Sequence, residues 1–243
     1  MAATRRPACA PTVAVSLPIQ GAAAQVAKRL LEGFTGYLQT DGYDGYNAAV
    51  AADHLVHVGC WAHARRKFDE AIKAQGKHKK RGMAHRGLVQ IQVLYQIEKQ
   101  VRKLTPKKRY AERQRLARPI LDDIRAWLDT ALPRVPPSSA TGKALHYLNN
   151  EWSKLIRYLD DGRLEIDNNA AENAIRPFVL GRKNWLFSDS VRGVQASANL
   201  YSLIETAKAN GLEPYAYSSL SVYRATGNDG RCYRSAVAGQ LRQ

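Results

Sequence analysis

Gly36-Tyr37-Leu38-Gln39-Thr40-Asp41-Gly42-Tyr43 is the stretch on which the reading of this chain turns. Tyr, Leu and Thr suit a short strand, and Gly42 closes it. An Asp at the carboxyl end of a strand in an α/β fold points into the crevice where ligands bind. The alternative is that Asp41-Gly42 makes a turn, as Asp44-Gly45 would three residues on. Upstream, residues 22–32 read as a helix with Val26, Leu30 and Leu31 on one side and Gly33 as its stop. Downstream, a helix is expected from Asp44 to about Ala52, then a strand from His54 to Cys60. Trp61 to Lys73 switches to a basic helix.

Residues 76–160 are helical in pattern throughout. Leu88, Ile91, Leu94, Ile97, Val101 and Leu104 fall at steps of three and four. So do Leu121, Ile124, Leu128 and Ala131, and then Leu145, Leu148, Trp152, Leu155 and Leu159. Pro133, Pro136 and Pro137 mark the loop between the second and third stripes. After Asp161-Gly162 strand and helix signals return. Asp167 is a good N-cap for a helix through Arg176, which Pro177 ends or bends. A further helix is expected over about 193–209, with Leu200, Leu203, Ile204 and Ala207 inward and Gly211 as its stop. Residues 1–20 and 218–243 show no period, and no internal repeat is found.

The chain has 243 residues, enough for one large domain or two small ones with a real core. Hydrophobic residues make up 45%, which excludes a wholly disordered chain. A mean hydropathy of −0.42 and the lack of a long uncharged apolar run argue against a membrane span. Pro11 and Pro18 break the apolar stretch that could mimic a signal peptide. Cys9, Cys60 and Cys232 lie far apart and make no disulfide framework, which favours a reducing cytoplasm.

Lys+Arg number 37 against 21 Asp+Glu, a net charge of +16. Residues 61–118 alone hold 18 Lys/Arg and four acids, +14 in one stretch. A solvated helix face would mix the two signs, so a polyanion partner, nucleic acid first, is expected. Arg65, Arg66 and Lys67 are the cations chosen to test it.

A second piece with chemical content is Asp167-Asn168-Asn169-Ala170-Ala171-Glu172-Asn173-Ala174-Ile175-Arg176-Pro177. Glu172 lies one helical turn from Asn168 and from Arg176, so the three share a face. A plain surface pair between Glu172 and Arg176 is one reading. The amides gathered around one acid suit a carboxylate held in a fixed orientation. His54, His57, Cys60 and His63 fall at steps of three and are all zinc-ligand types. On a strand such a series alternates faces, which argues against a shared zinc. Trp185, beside Arg182 and Lys183, either stacks on an unpaired base or packs with Phe187 in the core.

Residues 36–47, Val58-Gly59-Cys60-Trp61-Ala62-His63-Ala64-Arg65-Arg66-Lys67-Phe68 and residues 167–177 stand in this order. Together they resemble the insertion-sequence-66 transposase family, and Gly181-Arg182-Lys183-Asn184-Trp185 continues the likeness. It covers roughly residues 21–217. The resemblance implies an α/β fold: a partial ribonuclease-H-like domain interrupted by a mainly α-helical insertion. On this division residues 1–20 are a divergent start and 21–75 a partial core. Residues 76–160 are the basic helical insertion, 161–217 the Glu-bearing and closing helices, and 218–243 a divergent tail.

The resemblance further implies an Asp-Asp-Glu triad holding two Mg²⁺ ions, with Asp41 as the second Asp and Glu172 as the Glu. Its partners would be double-stranded DNA, as element ends and target, and further copies of itself, with no membrane. The location implied is the bacterial cytoplasm, at the nucleoid. His63, through Cys60-x-x-His63, would sit near the DNA end, and Arg176, Arg182, Lys183 and Trp185 near the DNA. A buried Cys and a backbone-bonded imidazole are the competing account of Cys60 and His63. The family's first Asp should precede Asp41, yet the only acid in residues 1–40 is Glu32. The expectation is therefore a catalytically incomplete copy, or a non-catalytic DNA-binding remnant, with both ends foreign.

Overall fold

The computed structural model describes residues 13–14, 31, 35–40, 55–76, 82–184 and 190–225. The helices expected at 22–32 and from Asp44 to Ala52 lie, but for Leu31, outside these residues. The chain divides into two compact units, residues 1–172 and 173–243.

The first unit holds a small parallel sheet in the order β1 (Val13–Ala14), β2 (Gly36–Gln39), β3 (Leu55–Val58). β2 is central, with Leu38 opposite Val13 on one side and His57 on the other. β1 falls in a stretch whose sequence shows no strand period, because two residues are too few to set one. Leu38 and Val58 are fully buried.

Helices make up most of the described chain. α1 (Trp61–Lys73) leaves β3 after a two-residue link and buries Trp61, Ala64, Phe68, Ala71 and Ile72. α2 (Met83–Val101) lays Ala84, Gly87, Ile91, Leu94, Ile97 and Val101 against its neighbours. α3 (Pro106–Ala131) follows, with Ala117, Leu121, Ile124, Trp127, Leu128 and Ala131 buried. α4 (Ala140–Asn150) starts at Ser139, whose side chain accepts from the Gly142 N–H as an N-cap. The third apolar stripe then breaks into α5 (Trp152–Leu155) and a 3₁₀ turn, Ile156–Leu159. All three stripes meet in one core running from Val58 to Ile166. The helices from α2 to α5 therefore share their interior with β3 and α1.

α1 and α2 approach closely because position 87 has no side chain. A Cβ there would lie 2.5 Å from the Phe68 ring. Deeper in, Arg113 is fully buried and bidentate to Glu98, at 2.8 and 2.7 Å. Its remaining donors reach the carbonyls of Tyr158, Asp161 and Leu164. Every face of the guanidinium is used, as a buried charge requires. Arg113 is thus a structural cation and not part of a surface for polyanions.

α6 (Asn169–Asn184) begins in the first unit and carries Pro177 inside it. Pro177 deprives only the Asn173 carbonyl of its partner, and Asn173 is exposed, so solvent can serve that oxygen. The helix accordingly runs past Arg176, where the sequence suggested a stop or bend.

In the second unit, α7 (Val191–Ala209) packs against α8 (Pro214–Ala225). α7 ends in a Schellman motif. Leu212 N–H donates to the Ala207 carbonyl and Gly211 N–H to that of Lys208, with Gly211 at φ +68°. Ala207 is buried and Leu203 and Ile204 are half-buried, but Leu200 is 52% exposed and does not face inward. α8 extends to Ala225, into residues that carry no apolar period. Its Pro at the first helical position favours the start, and packing against α7 supports the rest.

Candidate nucleic-acid-processing site

Three sequence pieces far apart in the chain converge at the carboxyl end of β2 and β3. Gln39, 2% exposed, sends its side-chain amide to the Glu165 carbonyl at 2.9 Å. Thr40 N–H donates to the Val58 carbonyl, and Thr40 Oγ1 lies 2.6 Å from His57 Nε2. Trp61 N–H, at the start of α1, donates to the Ile166 carbonyl at 3.1 Å. Its indole N–H reaches the Leu155 carbonyl at 2.9 Å. The segment before α6 is thereby tied to β2 and α1.

α2 adds a further tie, because Tyr95 donates its hydroxyl to Asp167 Oδ2 at 2.8 Å. Burial, with the Asp167 charge beside it, pushes the Tyr95 hydroxyl far above its ordinary range. Asp167 also accepts from the Asn169 N–H. The α6 N-cap position itself falls to Asn168, whose carbonyl accepts from Glu172 N–H. Asn168 is 1% exposed, and its side-chain oxygen and nitrogen find no hydrogen-bond partner among the described residues.

Glu172 stands in the first turn of α6, where a carboxylate is favoured by the helix dipole. Its Oε1 lies 3.7 Å from His63 Nε2 on α1, a charge contact when the imidazole is protonated and too long for a hydrogen bond. Cys60, preceding α1, is buried. Burial pushes its thiol up, against smaller contributions from the backbone of Asn168, His63 and Ala62. Cys60 therefore packs beside the site as a neutral thiol.

Of the residues singled out from sequence, the structure brings His63 and Glu172 together. Asp41 follows Thr40 directly in the sequence but lies outside the described residues, as do Trp185 and His54. Arg176 is exposed on α6, which also carries Arg182 and Lys183. Arg65, Arg66 and Lys67 are exposed on α1, with Arg65 over the Tyr95 ring at 5.9 Å and Lys67 3.8 Å from Glu70. No cluster of three metal-ligating His, Cys, Asp or Glu side chains occurs among the described residues. His57 turns to Thr40 while His63 faces Glu172, so these two do not share a zinc. Gln39 and Tyr95 carried no signal in the sequence beyond a polar residue at a strand end and an aromatic between apolar steps.

The arrangement is that of an α/β unit with an acid presented near the carboxyl ends of parallel strands. Residues 2–196 match the family described as Transposase IS66 family, and the chain belongs to that family. It is 34% identical over 220 residues to the uncharacterized protein y4hP of Sinorhizobium fredii (strain NBRC 101917 / NGR234), covering 86% of this chain and 40% of that one. Two more proteins of the same strain are similar. Protein y4jD is 34% identical over 203 residues, 80% of this chain and 38% of its own. Protein y4qI is 33% identical over 211 residues, 84% and 38%. The chain thus spans about 40% of the length of these relatives. No solved structure matches it. No helix among the described residues is long and apolar enough to cross a membrane.

Proposed function

We propose that this chain serves DNA transposition, carrying the Asp41 and Glu172 part of a ribonuclease-H-like strand-transfer site and binding double-stranded DNA. Family membership over residues 2–196 is the observation that carries this reading. The parallel order of β1, β2 and β3 is consistent with a ribonuclease-H-like core. The convergence of residues 39–40, 58–63 and 165–172 supports a single site.

Glu172 fits a hard divalent cation. Its side chain is 28% exposed and supplies a carboxylate oxygen whose His63 contact lies beyond hydrogen-bond length. Asp41 would be the second ligand. Mg²⁺ there would supply the charge that activates an attacking hydroxyl and stabilises the leaving oxygen. His63 would hold the Glu172 carboxylate toward the strand ends, and Gln39 and Trp61 fix the segment that leads into it.

Residues 1–40 contain no Asp, so these 243 residues offer two acids of a three-acid set. That observation favours a second reading, in which this chain alone binds DNA without cutting it. Two measurements decide. Mn²⁺ binding, followed by electron paramagnetic resonance, is expected to weaken in Asp41→Asn and in Glu172→Gln; binding unchanged in both would remove them from the metal site. Incubation with Mg²⁺ and element-end DNA is expected to leave the DNA uncut. Nicking that either substitution abolishes would show a complete site and overturn the non-catalytic reading.

A further inference from the structure

The turn between α2 and α3 carries five exposed cations in ten residues: Lys99, Arg102, Lys103, Lys107 and Lys108. No acid lies between them. The flanking acids are committed elsewhere, Glu98 to the buried Arg113 and Glu112 to Arg115 at 2.6 Å. The charge of the turn is therefore not cancelled by its own helices.

α1 differs. Its four cations share the helix with Asp69 and Glu70, which pair with Lys73 at 2.6 Å and Lys67 at 3.8 Å. Arg65 sits over an aromatic ring. Among the described residues, the stretch of highest charge thus contains a half-neutralised helix and a turn whose charge its own helices leave uncancelled.

The turn is also held rigid. Arg109 donates to the Arg102 carbonyl at 2.7 Å and to Glu165 at 3.0 Å, closing the turn from inside. A Cβ on Gly162 would lie 1.9 Å from the Pro106 carbonyl oxygen, so the 160–164 segment supports the start of α3 from below. Finally, Lys107, Lys108 and Arg109 occupy the first turn of α3, which has no acid. The helix dipole disfavours cations there, so helix stability does not account for Lys107 and Lys108. Cations kept at a cost, on a rigid and solvent-facing turn, suit an array of phosphates.

From this we infer that the α2–α3 turn, rather than α1, is the main surface for the DNA phosphate backbone. The partner is duplex DNA, read without regard to sequence. The inference rests on the DNA-binding reading above and assigns its location.

The test uses the full chain and a fluorescein-labelled duplex of arbitrary sequence, about three helical turns long. Anisotropy gives Kd from ~50 to ~200 mM salt, where log Kd changes by roughly 0.9 per phosphate contact for each decade of salt. The variant Lys103→Gln/Lys107→Gln/Lys108→Gln is expected to bind at least ~10-fold more weakly at the low-salt end and to lose about 2–3 from the slope. The variant Arg65→Gln/Arg66→Gln/Lys67→Gln is expected to keep nearly the wild-type slope, and Lys→Arg at the three turn positions should keep it fully. Thermal unfolding of the turn variant should match or exceed wild type, since two dipole-opposed charges are gone. A turn variant with the wild-type slope, or an α1 variant that loses as much, would overturn this location while DNA binding itself survives. A wild-type chain that does not bind the duplex at ~50 mM salt would instead overturn the DNA-binding reading on which the location rests.

Discussion

Replacing Arg113 by Met should be the most damaging single change to the helical core. The substitution keeps most of the volume and removes the guanidinium. Glu98, whose side chain is 10% exposed, would then hold a buried charge with no cation. Three carbonyls, those of Tyr158, Asp161 and Leu164, would lose their donor. Removing one partner of a buried pair costs about 3–5 kcal/mol. For a chain of this size that lowers Tm by roughly 6–20 °C. Urea unfolding, followed by the fluorescence of the four tryptophans, three of them in the helical unit, measures it directly. The double variant Glu98→Met/Arg113→Met removes the stranded charge but leaves the carbonyls, so it should recover only part of the loss. The carbonyls of Asp161 and Leu164 lie on the segment leading to α6, so the spacing of His63 and Glu172 should loosen as well. A loss below about 1 kcal/mol for Arg113→Met would refute the reading of Arg113 as a structural cation that joins α2 and α3 to the 158–164 segment.

Gly162→Ala should destabilise by about 1–3 kcal/mol in urea, because the new methyl meets a backbone oxygen of Pro106 that cannot swing aside. Cys60 should resist alkylation in the folded chain and react once the chain is unfolded, since burial and a raised thiol pKa both reduce thiolate; peptide mass analysis distinguishes it from Cys9 and Cys232. The Arg163 side chain beside Asp161 holds its carboxyl below the ordinary range. A depressed folded-state pKa gives stability that is present above the unfolded value and lost as pH falls through the folded one. Asp161→Asn should therefore flatten the acid limb of a stability–pH profile, by less than about 1 kcal/mol because the pair is partly exposed.

What sequence reveals here follows the range of the interactions. α1 is legible from Trp61 to Lys73 because an extended Val58–Cys60 stretch gives way to helical spacing at one point. The core stripes at 88–104, 121–131 and 145–159 are legible because helical period is a local property. Arg113 is not, since a buried Arg and a surface Arg look alike until Glu98 is placed opposite it. α8 is not, because Tyr and Ser at 215–219 set no apolar period. Spacing alone puts Leu200 inward, and spacing does not say whether a neighbouring layer exists.

The candidate site depends on the least local contacts of all. His63 and Glu172 are separated by more than a hundred residues, and closing a flexible loop of about that length costs roughly 4 kcal/mol. The ties that bring the ends together are Gln39 to Glu165, Trp61 to Ile166 and Tyr95 to Asp167. At about 1 kcal/mol net each, these three bonds alone do not offset the closure. The continuous core from Val58 to Ile166 makes up the difference, so the helices of residues 83–159 do not hang from the site as a separate appendage. It sets where α6 begins, and with it where Glu172 is presented. Substitutions deep in α2 and α3, far from any acid in the site, should therefore move Glu172 as surely as changes beside it.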